Sequence, residues 1–147
     1  MREAETMQWV HDDSRTDWKE LSELYRVAPL GNKSAEHLKH VYANSMFKCF
    51  VFDGGRLVSA GRAVADGRDT SYLCDIAVHP DYQGRGLGVA LVEKLKELSA
   101  GHRKTILYAN PGKEGFYAKL GFRRMRTAMA IFRDRDYAVR TGLVEED

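Results

Sequence analysis

Apolar residues along the chain recur with two different periods, which predict helices in some segments and strands in others. A helical period marks four segments, at residues 17–26, 34–42, 89–98 and 113–120. Asp17 and Ser34 stand where an N-cap side chain would begin the first two of these helices. Short aromatic and β-branched runs mark the strands, at residues 5–10, 47–52, 57–65, 71–78, 104–109 and 125–133.

The order of these segments predicts one mixed α/β domain. The turn sequences Asp53-Gly54-Gly55 and Asp66-Gly67 join the three middle strands into a meander, since such pairs tolerate the positive φ of a tight reversal. The later strands alternate with helices, which is typical of strands joined by crossovers. We therefore expect a central sheet of about six to seven strands flanked by about four helices. A single domain covers residues 1–147 in this interpretation, with residues 134–147 as an exposed tail.

Composition and charge limit the class of partner. The 147 residues carry a formal net charge of +2 and no long basic run, so neither a nucleic-acid nor a membrane partner is expected. No apolar run is long enough to span a bilayer, and the N-terminus lacks the apolar core of a secretory signal. Cys49 and Cys74 lie in strand-like runs, which favours buried reduced thiols in a cytoplasmic protein. His37 and His40 have no further ligands near them in sequence, so no metal is predicted.

A glycine-rich loop stands between a predicted strand and a predicted helix. The strand at 71–78 is followed by Pro80, which cannot donate to a ladder, and then by Gln83-Gly84-Arg85-Gly86-Leu87-Gly88. Glycines before a helix let an anion approach the unpaired N–H groups of the first turn, and Arg85 adds a cation. The loop therefore predicts a pyrophosphate site, although its spacing fits neither a P-loop nor the GxGxxG dinucleotide fingerprint.

Two motifs together resemble the GNAT family of N-acetyltransferases. The family's loop has a Gln or Arg, then a Gly three residues later and a Gly or Ala two further on, and Gln83, Gly86 and Gly88 fill these positions. Downstream, Asn110 follows a predicted strand and precedes the segment Phe116-Tyr117-Ala118-Lys119-Leu120-Gly121-Phe122, which resembles the family's second signature. The resemblance covers about residues 47–132 and implies a splayed sheet with acetyl-CoA as the co-substrate.

The resemblance also implies which residues hold acetyl-CoA. The backbone of a strand that ends in the open sheet should pair with the pantetheine amides, here through Ile76, Ala77 and Val78. Asn110 should bond the pantetheine arm. The pyrophosphate should lie on the loop and the helix start, formed by Gln83, Gly84, Arg85, Gly86, Leu87, Gly88 and Val89.

Acetyl transfer to an amine needs a deprotonated amine, a polarised carbonyl and a proton for the leaving thiolate. Tyr117 matches the family's proposed acid, and a backbone N–H near Ile76 would polarise the carbonyl. Asp75 is the first candidate for the base, directly or through a water, while an orienting role for it stays equally open. His79 and Glu114 are weaker candidates. Cys74 is not expected to act as a nucleophile, because alternate strand residues face opposite ways and Cys74 would not share a face with Asp75.

The acceptor is less determined than the donor. Aromatic residues in the first two helices favour a primary amine of a small molecule, of the arylalkylamine, polyamine or aminosugar type. Two alternatives remain, a protein N-terminal or lysine acetyltransferase and a non-catalytic acyl-CoA sensor. A homodimer is also left open.

Overall fold

The computed structural model describes residues 7–147, which form two compact units, divided along the chain after Leu107. The strands of the first unit are β1 (Gln8–Val10), β2 (Phe47–Asp53), β3 (Arg56–Ala65), β4 (Thr70–Val78) and β5 (Lys104–Ile106). Its helices are α1 (Trp18–Val27), α2 (Ala35–Ala43) and α3 (Leu87–Leu98). The second unit contains α4 (Glu114–Ala118) and α5 (Arg135–Arg140).

The first unit is built on one five-stranded sheet in the order β1-β2-β3-β4-β5. The first four strands run antiparallel to their neighbours, and β5 runs parallel to β4. The meander was predicted correctly because its Asp-Gly turns are local signals. The first predicted strand is present from Gln8; Met7 precedes it, and residues 5 and 6 lie outside the described part of the chain.

Helices cover both faces of this sheet. On one face, Leu21, Leu24 and Tyr25 of α1 and Leu38 and Tyr42 of α2 pack on the inward side chains of the meander, Phe50 among them. On the other face, α3 packs through Leu91 and Leu95, and its first residue Leu87 joins Val51 and Val58. Phe50 and Val51 face opposite ways because successive strand side chains alternate.

The caps of α1 and α2 are those that the sequence predicted. Asp17 accepts hydrogen bonds from the N–H groups of Lys19 and Glu20, and Ser34 accepts one from His37. Such side chains satisfy donors that have no partner within the helix. They fix where α1 and α2 begin, and so fix the connection between them.

The predicted strand at 125–133 is wrong. No strand is assigned there, and Met129 and Ile131 are almost fully exposed. The described residues therefore contain five strands, fewer than the six to seven expected, because apolar residues in sequence form a strand only where a partner strand is available. In the second unit a helix that we did not expect, α5, lies within the segment predicted as an exposed tail, and its Ala138 is fully buried.

Candidate active site

The sheet opens beside β4. β5 pairs with β4 only from Thr70 to Tyr72. Beyond Tyr72, as far as the end of β4 at Val78, no strand of the described chain pairs with this side of β4. The N–H of His79 donates to the carbonyl of Val58 at 2.8 Å, and the Ser59 hydroxyl donates to the carbonyl of Ala77 at 2.7 Å. Because backbone groups alternate in direction along a strand, Ala77 faces β3, and Ile76 and Val78 face the open edge.

A β-bulge interrupts β4 at Asp75. Ala60 pairs with Ala77 and Arg62 pairs with Cys74, so Gly61 alone stands opposite both Asp75 and Ile76. Asp75 has a φ of +57°, in the left-handed region. Cys74 pairs with Arg62 across the two strands, and the Arg62 guanidinium bonds Asp75, so the bulge places Cys74 and Asp75 on the same face; this corrects our prediction that they lie on opposite faces.

The Asp75 side chain is held by two cations. Its carboxylate accepts a hydrogen bond from Nε of Arg62 at 2.7 Å, and Nζ of Lys33 lies 3.8 Å from the other oxygen. Only 17% of the side chain is exposed. On the backbone, the Asp75 carbonyl accepts a hydrogen bond from the Tyr25 hydroxyl at 2.6 Å. The carboxylate thus has one fixed orientation and shares its charge with two basic groups.

The loop after β4 is anchored by Tyr82. A short 3₁₀ turn, Pro80–Tyr82, begins where the ring of His79 accepts a hydrogen bond from the N–H of Asp81. The mostly buried Tyr82 donates its hydroxyl hydrogen to the Asp53 carboxylate at 2.5 Å, in the hairpin between β2 and β3. This contact ties the loop to the meander. The His79 ring forms part of the turn through its hydrogen bond with Asp81.

The loop residues predicted to bind the cofactor differ in what they do: the Gln83 side chain bonds β4, and the glycines shape the backbone. The Gln83 amide donates to the carbonyl of Val78 at 2.9 Å, so Gln83 folds back onto the open end of β4. Gly84 and Gly86 have φ of +78° and +83°, which glycine adopts without the penalty that a Cβ brings. The guanidinium of Arg85 lies 4.9 Å from the centre of the Tyr82 ring.

The start of α3 has the properties of an anion site. Gly86 is its N-cap and offers no side chain to the first-turn N–H groups of Leu87, Gly88 and Val89. No acidic residue lies in this turn. The unpaired N–H groups and the helix dipole together favour a negatively charged ligand.

The second unit holds the two remaining predicted residues. Tyr117 lies in α4, with its ring centre 5.0 Å from that of Phe116 and 6.0 Å from that of Phe122, both edge to face. Burial raises the pKa of the Tyr117 hydroxyl, so this group stays protonated at neutral pH. Asn110 is exposed, and its carbonyl accepts the N–H of Lys113.

Several other candidates have environments that disfavour the roles considered for them. Backbone N–H groups of Glu114 itself and of Gly112 lower the pKa of the Glu114 carboxyl, which makes it a weaker base. Burial raises the pKa of both Cys49, to about 12, and Cys74, so neither thiol is ionised at neutral pH. Within residues 7–147, no group of three or more His, Cys, Asp or Glu side chains could hold a metal ion.

Three residues at this site were missed by the sequence analysis. Tyr25, Lys33 and Arg62 come from α1, the connection after it and β3, and all three meet Asp75. No motif marks them, because their contacts span between 13 and 50 residues of sequence. Tyr25 is one of the aromatic residues of the first predicted helix, but nothing in the sequence marks its hydroxyl as a hydrogen-bond donor to Asp75.

These features define an open-sheet α/β fold in which an unpaired strand edge leads to a helix start suited to an anionic ligand. Residues 5–122 match the model of the Acetyltransferase (GNAT) family. The chain belongs to this GNAT family of acetyltransferases.

Relatives and solved structures agree with this family. The chain is 38% identical over 93 residues to serotonin N-acetyltransferase 2, chloroplastic, of Oryza sativa subsp. japonica, covering 60% of this chain and 46% of the relative. It is 40% identical over 67 residues to glucosamine 6-phosphate N-acetyltransferase of Trypanosoma brucei brucei, covering 44% and 46%. The chain spans less than half the length of these curated relatives.

Among solved structures, protein SA2161 from Staphylococcus aureus superposes with a TM-score of 0.77 at 22% identity, covering 86% of this chain and 98% of that one. At this identity the likeness shows the fold alone. None of the helices in residues 7–147 is long and apolar enough to cross a membrane.

Proposed function

We propose that the protein is an acetyl-CoA-dependent N-acetyltransferase that transfers acetyl directly to a primary amine of a small molecule. One observation carries this proposal: the open edge of β4 leads through the glycine loop into the uncapped start of α3. An extended ligand with amides at one end and a pyrophosphate at the other matches this arrangement. Membership of the GNAT family supports acetyl-CoA as that ligand. We treat residues 1–147 as one catalytic domain.

In this proposal, acetyl-CoA would bind backbone groups at two places, the open edge of β4 and the first turn of α3. The carbonyl of Ile76 and the N–H of Val78 would bond the pantetheine amides, as an additional strand would. The N–H groups of Leu87, Gly88 and Val89 would bond the pyrophosphate, with Gly84 and Gly86 allowing its approach. Gln83 would act indirectly, since its amide already bonds Val78, and Asn110 is assigned to the pantetheine arm by its motif.

The reaction needs an amine that attacks the thioester carbonyl, a donor to the oxygen that becomes negative, and a proton for the thiolate. The Ile76 N–H is proposed as the donor to the oxygen. Tyr117, whose pKa is raised by burial, is proposed as the acid. The amine must lose a proton, and Asp75 is proposed to orient it or to accept that proton through water.

The acceptor class is supported by the names of two relatives, which act on serotonin and glucosamine 6-phosphate. The polar cluster of Asp75, Lys33 and Arg62 favours a small polar amine, because it offers charged hydrogen-bonding groups to polar substituents of the acceptor.

A thiol-release screen tests this function. Purified protein is incubated with acetyl-CoA and separate panels of arylalkylamines, polyamines, aminosugars and peptides, and free thiol is followed with time. We expect release with at least one small amine and not with peptides. Preference for peptides would favour a protein acetyltransferase, and binding of acetyl-CoA without release in any panel would favour a sensor.

The role of Tyr117 is tested in the same assay. Tyr117→Phe should lower kcat by about 10²–10⁴-fold, the usual contribution of a general acid, with little change in the KM for acetyl-CoA. Phe116→Leu, in the neighbouring residue, is the matched control for packing. An unchanged kcat in Tyr117→Phe would refute the assignment of the acid.

A further inference from the structure

Asp75 occupies a backbone conformation that needs support. Within residues 7–147 it is the one residue other than glycine with a positive φ, at +57°. A side chain in the left-handed region is strained, and such a conformation persists only where its surroundings hold it. The strained residue directly precedes Ile76, whose N–H is the proposed donor to the reacting carbonyl.

Two hydrogen bonds hold Asp75, one on its backbone and one on its side chain, in addition to the ion pair with Lys33. The Tyr25 hydroxyl donates to the Asp75 carbonyl at 2.6 Å, and Nε of Arg62 donates to the carboxylate at 2.7 Å. The Arg62 guanidinium is itself fixed, since its Nη1 donates to the hydroxyl of the buried Ser45 at 3.1 Å. The bulge is thus tied to α1 and to β3.

A third residue completes a chain of hydrogen bonds. Tyr25 and Tyr42 are fully buried, and their hydroxyl oxygens lie 2.5 Å apart. Because the single hydroxyl hydrogen of Tyr25 goes to Asp75, the Tyr42 hydroxyl must donate to Tyr25. Burial raises the pKa of both phenols, so both keep the hydrogens that this chain requires.

The peptide between Asp75 and Ile76 transmits these contacts. A trans peptide is planar, so its C=O and N–H point in opposite directions and turn as one body. A hydrogen bond from Tyr25 to the Asp75 carbonyl therefore sets the direction of the Ile76 N–H. It also polarises the peptide, which strengthens that N–H as a donor.

We propose that Tyr25 and Arg62 are positioning residues that lock the Asp75 bulge, and so aim the Ile76 N–H at the carbonyl oxygen of the acyl group. This inference rests on the proposed acetyltransferase function. It assigns a role in catalysis to two side chains that belong to no motif of the sequence.

The test compares Tyr25→Phe with Tyr42→Phe. Each removes one buried phenolic hydroxyl, but only Tyr25 bonds the bulge. With the best amine from the screen, Tyr25→Phe should lower kcat by about tenfold or more, part of what the loss of an oxyanion donor costs. Its KM for acetyl-CoA should stay within about twofold, since the pyrophosphate site is unchanged. Tyr42→Phe should lower the melting temperature similarly and affect kcat less.

Arg62 supplies a second variant that covers the case in which Tyr25→Phe does not fold. Arg62→Met should lower kcat, and Arg62→Lys should recover part of it. The amide resonance of Ile76 gives a measurement that does not depend on turnover. On addition of acetonyl-coenzyme A, an unreactive ketone analogue that keeps the acyl carbonyl, this resonance should move downfield less in Tyr25→Phe than in the wild type and in Tyr42→Phe.

The possible failures are distinguishable. If the wild type turns over no amine, the proposed function fails. The positioning role of Tyr25 and Arg62 is then decided by the Ile76 resonance alone. If the wild type is active but Tyr25→Phe and Arg62→Met change only the melting temperature, the lock is overturned while the proposed function stands.

Discussion

Gly86 is the residue at which the donor site can be tested most directly. It is the N-cap of α3 with a φ of +83° and ψ of 2°, so a Cβ there would be strained and would lie beside the N–H groups assigned to the pyrophosphate. Gly86→Ala should therefore have two separate effects, one on stability and one on the affinity for acetyl-CoA.

Both effects have a magnitude. A non-glycine residue in the left-handed region costs about 1–2 kcal/mol. For a chain of this length, 1 kcal/mol changes the melting temperature by about 2–4 °C, so a fall of about 2–8 °C is expected. Loss of one hydrogen bond to a charged group costs about 1.5–3 kcal/mol, which corresponds to a rise of about 10- to 150-fold in the dissociation constant of acetyl-CoA.

Gly54→Ala is the matched control. Gly54 also has a positive φ, +62°, and a Cβ there would meet no atom within 4 Å. It lies in the hairpin between β2 and β3, outside the donor site. Calorimetry of acetyl-CoA binding and thermal unfolding are measured for both variants. Equal losses of stability with a loss of affinity only in Gly86→Ala would support the reasoning, and unchanged affinity in Gly86→Ala would refute it.

Three further predictions concern stability and reactivity. Asp17→Ala removes the cap of α1 and should cost about 1 kcal/mol, seen as a lower melting temperature with no change in the KM for acetyl-CoA; unchanged stability would contradict the capping role. Hydrogen bonds from the N–H groups of Arg68, Asp69 and Thr70 lower the pKa of Asp66 to about 2. Because this folded-state pKa lies below the unfolded value, the stabilisation is present above about pH 4 and lost as the pH falls towards 2. Asp66→Ala should therefore flatten the melting temperature against pH in this range, and an unaltered slope would count against it. Burial raises the pKa of Cys49 to about 12, so its thiol should react with a disulfide reagent at neutral pH only after unfolding. Rapid labelling of Cys49 in the folded protein, located by mass spectrometry, would show that reasoning to be mistaken.

The features that the sequence predicted are local ones. Asp17 and Ser34 cap N–H groups two or three residues further along the chain. Gly84 and Gly86 have the positive φ that glycines in a tight loop before a helix adopt. The turn at Asp53-Gly54-Gly55 is likewise decided by adjacent residues. Each of these depends on interactions between residues close in sequence, so a pattern can carry them.

The features that it did not predict depend on distant residues. The bulge at Asp75 arises where β4 meets β3, and its supports Tyr25 and Arg62 lie on different elements. An alternating pattern assumes a regular ladder, so it assigned Cys74 and Asp75 to opposite faces. The strand predicted at 125–133 is absent for a related reason. Its residues suit a strand, but a strand also needs a partner strand, which sequence periodicity does not reveal.

The open edge of β4 also affects whether the protein aggregates. A row of unpaired backbone groups is a template onto which any extended peptide, including a second copy, can add and begin to aggregate. Such addition requires donors and acceptors at an even spacing. In β4 the bulge at Asp75 breaks that spacing, Pro80 follows two residues after the end of the strand, and Gln83 already occupies the carbonyl of Val78. These irregularities thus make the edge of β4 a poor nucleus for misassembly.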